Sequence, residues 1–88
     1  LHLIEFTSLD DIIDGMFEEN YGLIAFCTSQ SFFIYTVNGS FIMQSLLGDE
    51  KSQIKRIVSF EGFKIEYKTA PVDESTQTLY LFIDENKL

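Results

Sequence analysis

Asn38-Gly39 stands between Phe32 to Val37, a run made of β-branched and aromatic residues, and Ser40 to Leu47, which reads as its partner strand. A type I′ turn needs positive φ at both central residues, and Asn-Gly meets that demand at the lowest steric cost. The dipeptide predicts a hairpin with Val37 facing Ser40, Thr36 facing Phe41 and Tyr35 facing Ile42. No covalent cross-link assists it, because Cys27 is the single cysteine of the 88 residues. Packing has to hold the fold together, and 45% apolar content, with nine Phe and four Tyr, suffices for a compact core. Cys27 lies in the run Leu23-Ile24-Ala25-Phe26 and reads as a buried, inert thiol in a reducing, cytoplasmic setting.

Around the hairpin the apolar period changes twice. Leu1 to Phe6 alternates and reads as a first strand, and Thr7 or Ser8 can cap a helix behind it. Leu9, Ile12, Ile13, Met16 and Phe17 recur at three-and-four spacing, which predicts an amphipathic helix closed by Asn20 and Gly22. From Tyr21 the period is two, through a strand over Leu23 to Thr28 and then the hairpin. Asp49 can cap a second helix, with Ile54, Ile57 and Val58 inside and Lys51, Lys55 and Arg56 outside. Phe63, Ile65 and Tyr67 alternate with Lys64, Glu66 and Lys68 as a half-buried strand. Ala70-Pro71 to Thr76 reads as a loop, Thr78 to Ile83 as a last strand and Asp84 to Leu88 as a frayed tail. The expected architecture is a single α+β domain over residues 1–88, in the order β-α-β-β-β-α-β-β. It has a mostly antiparallel sheet of five to six strands and two helices on one face. An unpaired strand edge would invite another chain, and a homodimer could satisfy one.

The charges are segregated. Glu5, Asp10, Asp11, Asp14, Glu18, Glu19, Asp49 and Glu50 fill the first fifty residues without a single Lys or Arg, whereas the remainder is balanced, giving a formal charge of −8. Such a lopsided distribution makes a directional field that favours a cationic partner. On the predicted helix, Asp10, Asp14 and Glu18 would stand at four-residue steps of about 6 Å, flanked by Asp11 and Glu19. Asp10 and Asp11 suit the positive end of a helix. Asp14 with Glu18 is a repelling pair, and Glu18 and Glu19 approach the negative end. Stability alone would not select that row. A row of carboxylates can stand in for phosphates, with Glu5, Asp49 and Glu50 as extensions.

Other chemistry finds little footing. His2 is the only imidazole and lies at the extreme end, and no Ser-His-Asp arrangement, P-loop or GxGxxG is present. The carboxylates lack the alternating spacing of a calcium loop, and one His with one Cys is a poor zinc set. No cofactor, metal or catalysis is expected. The Lys51, Lys55, Arg56, Lys64 and Lys68 group, with Phe60, Phe63 and Tyr67 near it, is the one candidate for nucleic acid. The overall negative field opposes direct binding to nucleic acid or to a membrane, and no apolar run is long enough to span a bilayer.

This profile resembles the small, acidic, phage-encoded proteins that imitate DNA. Ser8-Leu9-Asp10-Asp11-Ile12-Ile13-Asp14 and Asp73-Glu74-Ser75-Thr76 are similar to stretches of the inhibitors of uracil-DNA glycosylase. Size, charge and a usage heavy in Ile, Phe, Ser and Asn look like the anti-restriction proteins of T-even phages. The resemblance implies a non-enzymatic inhibitor in a host cytoplasm. It would occupy the DNA-binding surface of a basic protein such as a restriction nuclease or a nucleoid-associated protein. The residues also permit an interaction or scaffold module that binds through a sheet edge or an aromatic face, anchored by Tyr21 and Tyr35.

Overall fold

A computed structural model describes residues 11–48, 51–71 and 75–88. Seven strands form two antiparallel sheets. The first, sheet A, is the meander β1 (Asp14–Glu18), β2 (Leu23–Cys27), β3 (Ser31–Thr36) and β4 (Phe41–Leu46). The second, sheet B, is the meander β5 (Gln53–Glu61), β6 (Lys64–Ala70) and β7 (Thr76–Tyr80). A short 3-10 helix at Glu85–Lys87 replaces the expected frayed tail, and the Asp84 carboxylate accepts the Asn86 amide at its start. The α+β expectation is therefore overturned: among the described residues there is no α-helix, and the fold is all-β. The predicted first strand, Leu1 to Phe6, lies outside the described residues.

Both predicted helices fail for identifiable reasons. In β1, Asp14, Met16 and Glu18 face the second sheet while Gly15 and Phe17 face outward. The apparent helical spacing came from adjacent apolar residues, Met16 and Phe17, that a strand sends to opposite faces. Gly15 fits this strand because its partner Phe26 lies across it; a Cβ there would sit 3.1 Å from Phe26 Cδ1. In β5, Ile54, Ile57 and Phe60 are all buried at a spacing of three. Register shifts at Ile54/Arg56 and Ile57/Ser59 each insert a residue, so that a twice-bulged strand keeps one apolar face and imitates a helical period.

The hairpin forms, with a different turn. Tyr35 pairs with Phe41, one residue away from the predicted register. The Thr36 amide donates to Ser40 O at 2.8 Å and the Gly39 amide donates to Thr36 O at 2.9 Å. Only Gly39 takes positive φ, at 91°, so type I′ is excluded and a three-residue Val37-Asn38-Gly39 loop closes the strands. The β5–β6 hairpin uses a two-residue loop, Gly62-Phe63, with Gly62 at φ 60° and Glu61 paired with Lys64.

The sheets share one core. Leu23, Ala25, Cys27, Phe32 and Ile34 meet Ile54, Ile57, Phe60, Ile65, Tyr67 and Leu81. Phe32 and Tyr67 make an edge-to-face contact across it, with centroids 5.0 Å apart. Burial drives the Cys27 thiol up to about 11, with Asp14 nearby adding to the shift. A raised thiol keeps its proton in the fold after the unfolded chain has lost it. Stability should thus fall as pH rises from the ordinary 9.0 towards 11, visible in urea midpoints taken across that window. Gly62→Ala should cost about 1–2 kcal/mol by urea unfolding through backbone strain alone, since no atom lies near its Cβ position. Gly48→Ala, equally uncrowded and without positive φ, should change stability by less than about 0.5 kcal/mol.

Candidate functional site

The anionic row divides once its helix is gone. Glu5, Asp10, Asp49 and Glu50 lie outside the described residues. Asp11 and Glu19 are exposed. Asp14 and Glu18 are occupied internally. Glu18 is only 2% exposed, and its two carboxylate oxygens accept the Asn20 amide at 2.8 Å and the Tyr21 amide at 2.9 Å. It holds the β1–β2 turn and presents nothing to a partner. Asp14 accepts the Gly15 amide at 2.8 Å through Oδ1 and the Ile57 amide at 2.7 Å through Oδ2. On a strand, the four-residue step that would have spaced phosphate stand-ins does not arise among these residues.

The Asp14–Ile57 bond joins the outer edges of the two sheets, because β1 ends sheet A and β5 ends sheet B. Further along both strands a second junction forms where the Tyr21 ring stacks on Phe63, 4.4 Å between centroids at 25°. Asp14 precedes Tyr21 and Ile57 precedes Phe63, so β1 and β5 run side by side in the same direction. Between the junctions they are not hydrogen-bonded to each other. A cleft of about 470 Å³ opens there, lined by Met16, Phe17, Glu18, Glu19 and Asn20 from one strand and Val58, Ser59, Phe60 and Glu61 from the other. None of the described residues that line it is Lys or Arg.

Sequence reasoning named Glu18 and Glu19 here for another purpose and missed Phe17, Val58, Phe60 and Glu61. A partial signal was available in Gly22 and Gly62, each at positive φ (65° and 60°) in the loop that follows a strand ending in Glu. The basic group offers no stacking platform, since Phe60 and Tyr67 belong to the core and Phe63 is engaged by Tyr21. Among the described residues no cluster of His, Cys, Asp or Glu is placed to hold a metal, and no helix is long and apolar enough to cross a membrane.

The outer face of sheet A is also unusual. Cross-strand register places Phe17, Ile24, Tyr35 and Phe41 along it, followed by Phe26 and Phe33. Antiparallel sheets commonly alternate apolar and polar faces, and sheet B does so, with Lys64, Glu66, Lys68, Thr76 and Thr78 outward. Sheet A is apolar on both sides.

No protein family matches the chain, and no curated protein or solved structure matches it.

The geometry assigns Glu18 a structural role that mutation can separate from a surface role. Glu18→Ala should lose about 3 kcal/mol in urea unfolding by leaving two turn amides without their charged acceptor. Glu19→Ala, on the exposed side of the same turn, should stay within about 0.5 kcal/mol of the parent.

Proposed function

We propose that the chain is a non-catalytic protein-interaction module built from two successive units of a repeating sheet array of the β-propeller kind. The observation that carries this reading is the relation between the sheets. Each is a continuous antiparallel meander, and the first strands of the two, β1 and β5, lie beside one another with the same polarity. β1 starts at Asp14 and β5 at Gln53, an interval of about 40 residues that matches the roughly 40–45 of a four-stranded propeller blade. A two-sheet sandwich of Greek-key type would exchange strands between sheets, and among the described strands none is exchanged. Apolar residues on both faces of sheet A suit a blade set between two neighbours. Such arrays present clefts and loops to partner proteins and keep their sheets for packing. The buried Cys27 thiol fits a reducing cytoplasm.

The formal charge of −8 favours a second reading, in which the acidic residues occupy the DNA-binding surface of a basic protein. Competition separates the two. A complex retained by the tagged chain should survive excess duplex DNA if the chain is a scaffold. Release of the partner by DNA, with recovery of the partner's own DNA binding, would instead support mimicry and contradict the scaffold reading.

A further inference from the structure

The two strand edges that meet at Asp14–Ile57 and Tyr21–Phe63 are not paired with each other between the junctions, and among the described residues neither edge has a further strand partner there. Exposed strand edges recruit extended chains, and the ladder supplies affinity whereas side-chain pockets supply selectivity. Phe17 is 56% exposed and Val58 37% exposed, so both present apolar surface at the cleft. Met16 and Phe60 provide its apolar floor, and the exposed carboxylates of Glu19 and Glu61 stand at the end nearest the two turns. The Glu18 carboxylate contributes no free acceptor, because both oxygens are committed to the turn.

We propose that this cleft receives an extended, cationic segment of a partner protein. An apolar side chain of the segment rests against Phe17 and Val58, and a Lys or Arg reaches Glu19 and Glu61. Charge complementarity fixes the class of occupant: among the described residues the lining holds acidic groups and no basic one, so an anionic segment is repelled at the mouth. This inference rests on the interaction-module reading and names the site it would use.

The test uses a nine-residue peptide alternating Val with Lys or Arg, titrated into the isotopically labelled chain and followed by amide NMR. A second peptide carries Glu in place of every cation. The basic peptide should shift the amides of β1 beyond Gly15 and those of Val58 to Glu61, and the acidic one should leave them unmoved. Val58→Arg, which fills the cleft with a like charge, and the double variant E19K/E61K should each weaken the basic peptide at least tenfold. Both sites are exposed, so the dispersed amide spectrum should persist in the variants. Shifts that map elsewhere, or binding unchanged in both variants, would overturn the proposal. That result would leave the scaffold reading standing, because DNA competition against a natural complex does not depend on this cleft.

Discussion

Asp14 is a carboxylate at the end of an edge strand, and its Oδ2 takes an amide hydrogen from the edge of the other sheet at 2.7 Å. A charge-assisted bond of this kind is worth about 1.5–3 kcal/mol. Its larger consequence is positional. It fixes where β1 meets β5, and with it the register in which Leu23, Ala25 and Cys27 face Ile54 and Ile57. The molecule is only 19 Å across its short axis, the depth of two sheets set about 10 Å apart with their outer side chains. In so thin a body no third layer can correct a misplaced sheet. The Tyr21–Phe63 stack holds the far end, and the strands between these ties stand apart.

The same arrangement explains why the charge pattern is a poor guide here. Acidic residues crowd the first half of the chain, but two of those described serve the backbone. Glu18 neutralises two turn amides, and Asp14 satisfies an edge amide that would otherwise lack a partner. Buried amides require acceptors, and a carboxylate supplies two oxygens in one side chain. The exposed carboxylates at the cleft are contributed jointly by the β1–β2 and β5–β6 turns. Glu19 and Glu61 are 42 positions apart in the chain, and the repeated meander is what brings both to the cleft.

How far the sequence could be read depended on whether a local signal had one meaning. Asn38-Gly39 forced a hairpin, and alternation in Phe63 to Tyr67 forced a half-buried strand; both form, the first with a shifted register because Asn38 declines positive φ. Spacings of three and four had two meanings. In β5 the two bulges turn a period of two into one of three, and no single window distinguishes that from a helix. In β1 an outward Phe17 beside an inward Met16 produced the same ambiguity. Outward apolar residues are ordinarily few in a sheet with one wet face, and sheet A departs from that pattern by carrying apolar residues on both faces. The cleft was illegible for a different reason: its walls come from distant segments, and only the parallel run of β1 and β5 unites them.

Proton–proton distances in solution test the central claim most directly, that β1 and β5 are neighbouring, same-direction edges tied at two points. A nuclear Overhauser spectrum of the chain should show the Tyr21 ring protons close to those of Phe63 and the Ile57 amide close to Asp14, with cross-strand contacts from Gly15 to Phe26. Sequential amide–amide contacts running from Ile12 through Phe17, together with loss of the Tyr21–Phe63 contacts, would mean a helix occupies that stretch, and the account would be contradicted at its base.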